Sequence, residues 1–180
     1  MRLTRRSVLT LALCSVFAGS AWAHGPSRQK VELSIDIAAP ADKVWARVAN
    51  FHDMSWLPVV ARTEGEGGNE VGANRVLVLK AEGEPTIAEQ LTRYSAERMS
   101  YSYKITKVDV KVLPVTNYTS HLTVSADGDG KSRVEWRGAF YRGFPNNDPP
   151  PELNDAAAIA AVTGVYQTGL DALKAELEAR

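Results

Sequence analysis

Cysteine is almost absent from this chain: among 180 residues there is one, Cys14, near the N-terminus. A mature protein that loses that segment has no disulfide, no thiolate metal ligand and no cysteine nucleophile. Histidine is scarce too. His24, His52 and His121 have no paired-ligand spacing, so no metal site is expected. There is no glycine-rich phosphate loop, and no serine–histidine–aspartate grouping that the element order would bring together. No cofactor is implied. An excess of charge of one sign is also missing, since 21 Lys and Arg balance 21 Asp and Glu. Internal repeats are absent, and no apolar run reaches the ~20 residues of a membrane-spanning helix.

What is present starts with residues 1–23. Arg2, Arg5 and Arg6 make a basic start, Leu9 to Ala18 is uncharged and apolar, and Ala21-Trp22-Ala23 supplies small residues at a cleavage site. This is the layout of an export signal cut after Ala23. Thr4-Arg5-Arg6-Ser7-Val8-Leu9 resembles a twin-arginine signal, so a periplasmic protein is expected. Leu13 stands where a lipoprotein signal needs a small residue, so lipidation at Cys14 is not expected. Cleavage leaves 18 cations against 21 anions, a net charge of −3, which argues against a nucleic-acid partner. Residues 24–180 are expected to form one domain, long enough to bury a core without covalent staples.

Val31 to Ile37 alternates apolar and polar residues, a half-buried strand. Ala39-Pro40-Ala41-Asp42 opens a helix, with Val44, Trp45, Val48 and Phe51 at helical spacing. A second short helix is expected around Met54 to Pro58. Strands follow at Arg75–Lys80, Thr86–Tyr94, Met99–Thr106, Val115–Ser125 and Arg133–Tyr141, the last two joined by the turn Asp127-Gly128-Asp129-Gly130. Pro145 to Pro151 is loop. Pro151 to Ala179 reads as one long helix, with Ile159, Val162, Tyr166, Gly169, Leu173 and Leu177 in an apolar stripe.

Clustered strands and clustered helices imply an α+β fold rather than alternating βαβ units. A curved antiparallel sheet must cover its apolar face, and the last helix carries the suitable stripe. The result is a helix grip, with two short helices after the first strand and a ligand cavity expected between sheet and helix.

Strand alternation assigns the inner faces. Ile87, Glu89 and Leu91 share one face, as do Met99, Tyr101, Tyr103 and Ile105; Tyr118, Ser120, Leu122 and Val124; and Trp136, Gly138 and Phe140. Trp56, Leu77, Val115, Val162 and Tyr166 complete the candidate ligand lining. Aromatics on an inner face commonly pack as core. Yet the buried hydroxyls of Tyr101, Tyr103 and Tyr118 need partners, which a wet or liganded cavity would supply. Gly138, Gly164 and Gly169 either leave room or mark close packing. Glu89 is the one candidate proton acceptor if the protein is an enzyme; otherwise no catalytic residue is expected. Arg75 could pair with it or lie on the surface. His121 falls on the opposite, exposed face. His24, the expected mature N-terminus, could chelate copper incidentally.

Val44-Trp45-Ala46-Arg47-Val48-Ala49-Asn50-Phe51 followed by Trp56-Leu57-Pro58 resembles the early helical segment of the START-like superfamily. That superfamily includes polyketide cyclases, the birch-pollen allergen and the plant abscisic-acid receptors. Leu113 to Ser120 resembles the step from gate loop to cavity strand in those receptors, which would make Val108–Pro114 a gate. Arg133-Val134-Glu135-Trp136, ending in Phe140, resembles the last strand of the cyclase-like branch. The likeness runs from about Lys30 onward. It implies the helix grip and a hydrophobic-ligand cavity. More narrowly, His24-Gly25-Pro26-Ser27-Arg28-Gln29-Lys30-Val31 after a signal is similar to the small periplasmic accessory proteins of bacterial methanol dehydrogenase systems. That likeness implies a non-catalytic factor with a dehydrogenase or cytochrome partner. A cyclase- or dehydratase-like enzyme and a lipid carrier are the alternatives.

Overall fold

The structure, a computed structural model, describes residues 25–179, so the expected export signal and His24 lie outside the described residues. Strand β1 (Gln29–Ile37) leads into helix α1 (Ala41–Val48), which is followed by β2 (Val60–Glu66), β3 (Asn74–Leu79), β4 (Thr86–Ser95), β5 (Ser100–Val108), β6 (Val115–Ala126) and β7 (Ser132–Arg142). A 3-10 turn at Pro151–Leu153 precedes the long helix α2 (Asp155–Glu178). All seven strands join one sheet in the order β1-β7-β6-β5-β4-β3-β2. Every neighbouring pair is antiparallel. The two edges are thus β1 and β2, and α2 lies against β1 and β7. No helix among the described residues is long and apolar enough to cross a membrane.

Three details differ from the sequence expectation. Residues 51–58 form successive tight turns instead of a second helix. Asp53 N–H donates to Asn50 O at 2.9 Å, Leu57 N–H to Met54 O at 3.0 Å and Val60 N–H to Leu57 O at 3.0 Å. The Asp53 carboxylate captures both the backbone N–H and the hydroxyl of Ser55, at 2.9 and 2.6 Å, so a side chain takes the donor a helix would use. Next, β2 is an additional strand that the pattern hid. Of its residues only Val60 is buried, and an edge strand polar on both faces shows no alternation. Finally, the last helix begins at Asp155 rather than Pro151. Asn154 is extended (φ −82°, ψ 177°), and its side chain accepts the Ala157 N–H at 2.8 Å as an N-cap.

Helix α2 is the sheet's cover. Val162, Leu170, Leu173 and Leu177 are buried against it, each contributing about 1.5–3 kcal/mol relative to exposure. Ala158 holds the stripe position expected of Ile159, which is 36% exposed. Positions 158, 162, 166, 169 and 173 follow the helical period, and Ile159 lies about 100° off that line. Arg47 ties α1 to α2, its Nε donating to Glu176 at 2.8 Å and its Nη1 to Asp53 at 3.1 Å.

Candidate functional site

The interior between sheet and α2 is built from alternate residues of β3 to β7. In β6 strict alternation cannot place both Val115 and Tyr118 inward, because they are three residues apart. A bulge between Thr116 and Thr119, with Asn117 at φ 47°, absorbs the extra residue. Further register shifts at Ala88/Glu89 and Leu91/Arg93 of β4 bend the sheet around the helix. The expected inner faces are buried: Leu77, Ile87, Glu89, Leu91, Tyr101, Tyr103, Val115, Tyr118, Ser120, Leu122, Val124, Trp136 and Phe140 are all at most 9% exposed. Trp56, Val162 and Tyr166 join the same core. Ile105 and Met99 are half-buried, Met99 because it sits in the turn before β5 with φ 45°.

The tyrosine hydroxyls satisfy one another. Ser120 Oγ donates to the Arg137 carbonyl at 2.9 Å, so the Tyr166 hydroxyl, 2.9 Å away, donates to Ser120. The Tyr118 hydroxyl then donates to Tyr166 at 2.5 Å. Trp136 Nε1–H is shared between Ser120 Oγ at 2.9 Å and the Tyr103 hydroxyl at 3.1 Å. The Trp136 and Tyr166 rings stack with centroids 4.2 Å apart. This chain removes the need for a ligand to satisfy Tyr103 and Tyr118, contrary to the expectation from their chemistry. Burial pushes the phenols of Tyr103, Tyr118 and Tyr166 up, so all three remain neutral.

Gly138 and Gly169 mark close approach rather than free space. A Cβ on Gly138 would strike the Tyr166 hydroxyl, and one on Gly169 would meet Leu57 at 2.8 Å and Trp136 at 3.0 Å. Gly164 is exposed and faces open space.

Glu89 and Arg75 form a buried pair. Arg75 Nε donates to Glu89 Oε2 at 2.6 Å, and Nη1 donates to the Phe51 carbonyl at 2.6 Å. The guanidinium lies 4.1 Å from the Phe51 ring centroid and 4.9 Å from that of Tyr103. Burial pushes the Glu89 carboxyl up, and the opposing pull of Arg75 offsets this only in part. Burial is the largest single influence on Arg75 and pulls its pKa down, but Glu89 together with Tyr101 and Tyr103 outweighs it, so the guanidinium keeps its proton. The pairing was one of two outcomes open to Arg75 in the sequence; the other, a surface position, does not occur.

A cavity of about 80 Å³ remains inside the grip. Of the candidate residues, Leu77, Ile87, Glu89, Tyr103, Tyr118 and Trp136 line it. Trp56, Tyr101, Val115, Ser120, Phe140, Val162 and Tyr166 are packed around it as core. The sequence reading missed Met54, Leu57, Val59, Leu79 and Val165, which complete much of the wall. Val165 sits next to the stripe position Tyr166, and Leu57 lies in the turns mistaken for a helix, so neither carried a periodic signal. Val112 and Leu113 of the loop after β5 close one end. That loop is a hydrogen-bonded turn, with Val112 and Leu113 N–H groups donating to Asp109 O at 2.9 and 3.1 Å. Ligand sites commonly enclose about 300–1,000 Å³, so this interior has room for a few heavy atoms at most.

His121 lies on the outer sheet face, as alternation predicts, but it is half-buried rather than exposed. Its Nδ1 is 2.8 Å from Ser102 Oγ and its Nε2 is 2.8 Å from Thr123 Oγ1. Ser102 comes from the neighbouring strand β5 and Thr123 from β6 itself, two residues on, and together they flank the ring. Burial, with help from Arg137 and Arg93, lowers its pKa.

Comparison with known proteins gives the lineage. An uncharacterised protein from Bacillus thuringiensis shares 29% identity and superposes with a TM-score of 0.69, over 83% of this chain and 98% of that one. The protein XoxI from Bacillus cereus also shares 29% identity, with a TM-score of 0.68, over 82% of this chain and 94% of that one. Norcoclaurine synthase from Thalictrum flavum, in complex with dopamine and hydroxybenzaldehyde, shares the fold at 16% identity and a TM-score of 0.64, each chain covered to 96%. No curated protein matches the chain significantly. The model of polyketide cyclase/dehydrase and lipid transport proteins matches residues 28–178, nearly all of the described chain. With the helix grip and this match together, the chain belongs to the polyketide cyclase/dehydrase and lipid transport family.

Proposed function

We propose that this protein is an exported, periplasmic accessory factor that acts by binding rather than by catalysis. Its partner is a periplasmic dehydrogenase of the methanol-oxidising kind, or the cytochrome that serves it. The observation that carries this reading is the filled grip: about 80 Å³ of free space, whose wall tyrosines already have partners, Tyr118 in Tyr166 and Tyr103 in Trp136. A polyketide-sized substrate or a lipid tail needs several times that volume. The Glu89 carboxylate, the candidate base, is occupied by Arg75 at 2.6 Å. Two further features support the reading: the string His24 to Val31 behind the expected export signal, and the likeness to XoxI of Bacillus cereus at 29% identity.

Native mass spectrometry of mature protein purified from its own periplasm, followed by a pull-down with the dehydrogenase, tests this. The expected result is a bare apoprotein mass and a retained dehydrogenase. A reproducible extra mass that is lost on denaturation, with no dehydrogenase retained, overturns it in favour of a ligand carrier.

One observation favours a second reading, a cyclase- or dehydratase-like enzyme. Glu89 lines the cavity with its proton affinity raised by burial, as a general base requires. In that case Glu89→Gln abolishes turnover of an aromatic carbonyl substrate, and an unchanged rate removes the proposed base.

A further inference from the structure

The outer face of the sheet carries charge in a pattern that the interior does not use. Strand register aligns one row across five strands. Glu32 of β1 stands opposite Arg137 of β7, Arg137 opposite His121 of β6, His121 opposite Ser102 of β5, and Ser102 opposite Arg93 of β4. The next row brings Lys30, Ala139, Thr119 and Lys104 into line. These positions alternate with Tyr103, Ser120 and Trp136, so they face away from the core. Serine, threonine and alanine in mid-row keep the floor low. A depression of about 660 Å³ runs over the rows, with Lys30, Arg93 and Arg137 in its walls. A smaller one of about 330 Å³ continues it past Arg28 and Lys104.

Five cations therefore surround a trough that holds two acids, Glu32 and the Glu135 paired with Arg137 at 2.9 Å. They do so on a chain whose 21 Lys and Arg only balance its 21 Asp and Glu. With strands about 4.8 Å apart, five strands span about 19 Å. That is too long for one oxyanion and equals roughly six residues of extended chain at about 3.3 Å each. Glu32 and Glu135 between the cations oppose a uniform polyanion such as nucleic acid. A polypeptide can vary its charge to suit them.

We propose that this outer trough is the docking surface for an extended, carboxylate-rich segment of a protein partner, whose acids pair with Lys30, Arg93, Arg137 and Lys104. The proposal deepens the accessory reading and rests on it for the existence of a partner. His121, half-buried at the centre of the floor, faces Ser102, Thr123, Arg137, Arg93 and Glu135 and reports on occupation.

The test uses the mature chain and a fluorescent peptide of about six residues with alternating Glu and Ser, which matches the trough's length. Anisotropy gives affinity, and nuclear magnetic resonance locates the site. Binding is expected to shift the His121 ring and its row, to raise the pH at which that ring titrates, and to weaken about tenfold between roughly 20 and 200 mM salt. The double variant Arg93→Glu/Arg137→Glu, both residues exposed, is expected to weaken binding at least about tenfold. Arg93→Gln/Arg137→Gln gives a smaller loss in the same direction, and melting curves verify that both variants fold. Lys43→Glu, on α1 across the sheet, leaves binding unchanged. Shifts centred elsewhere, indifference to the double reversal, or equal affinity for an oligothymidylate of the same charge overturn the proposal. If the peptide binds but wild-type protein retains no dehydrogenase, the accessory reading fails and the trough stands. If retention of the dehydrogenase survives the double reversal, the trough fails and the accessory reading stands.

Discussion

Replacing Arg75 by Met removes a guanidinium that is 1% exposed and leaves the Glu89 carboxyl, 4% exposed, without its 2.6 Å partner. Breaking a buried pair from one side costs about 3–5 kcal/mol, because the remaining charge is desolvated and uncompensated. Glu89 escapes part of that cost by taking up a proton. Burial already holds its pKa above the ordinary carboxylate value, and loss of Arg75 takes it higher. A folded-state pKa above the unfolded one means that the variant's stability is fully present below the unfolded value. It is lost as pH rises through the folded value. The deficit against wild type is therefore small near pH 4 and largest at about pH 7–8. At 2–4 °C per kcal/mol for a chain of this size, the melting temperature falls by about 6–20 °C at neutral pH. The double variant Arg75→Met/Glu89→Leu, which removes both charges, recovers most of the loss. Thermal and urea unfolding followed by circular dichroism at several pH values measures all three. A single-variant cost under about 1 kcal/mol, or a cost that does not change with pH, refutes the assignment of a buried, structural ion pair.

Other expectations concern the hydroxyl chain, the packing and the outer histidine. Tyr166→Phe strands the Tyr118 hydroxyl and weakens Ser120, for a loss of about 1–2 kcal/mol in urea unfolding. Gly138→Ala drives a methyl group into that same hydroxyl and costs about 1–3 kcal/mol. Combined with Tyr166→Phe it costs less than the sum, since the clashing oxygen is gone, and a double-mutant cycle reads the difference. Leu77→Ala enlarges the cavity, costs about 2–5 kcal/mol, and creates a site at which xenon or benzene raises the melting temperature. His121 has a folded pKa below its ordinary 6.5, so its neutral form contributes stability present above that value and lost as pH falls through the folded one. His121→Gln is expected to flatten the fall in urea midpoint between about pH 7 and pH 5, and an unaltered slope counts against the assignment.

Most of the architecture was written into periodicity. The strict alternation of Val31 to Ile37, the turn at Asp127 to Gly130 and the three- and four-residue steps from Val162 to Leu177 each specify an element whose apolar face must be covered. Where that signal was weak, the reading slipped. Polar edge strand β2 has one buried residue and therefore no pattern. The Asp53–Ser55 side-chain bonds turn a helix-like string into consecutive turns. Among candidate site residues, alternation placed Glu89, Tyr103, Tyr118, Ser120 and Trp136 inward correctly, because a strand offers only two faces. It could not say what those side chains meet.

That division is physical. The sequence by itself determined the element order apart from β2 and the turns at 51–58, the inner and outer faces, the scarcity of thiols and the near-balance of charge, because each depends on local spacing or simple composition. Tertiary packing decided the rest, through contacts between residues 14 to 48 positions apart: Arg75 on Glu89, and Tyr118 through Tyr166 to Ser120. Whether the grip encloses a large chamber or about 80 Å³ depends on how close Gly138 and Gly169 let Tyr166, Trp136 and Leu57 approach. The cationic row across five strands exists only through their register, since Glu32, Arg93, Ser102, His121 and Arg137 are scattered along the chain and become neighbours only when the sheet is formed.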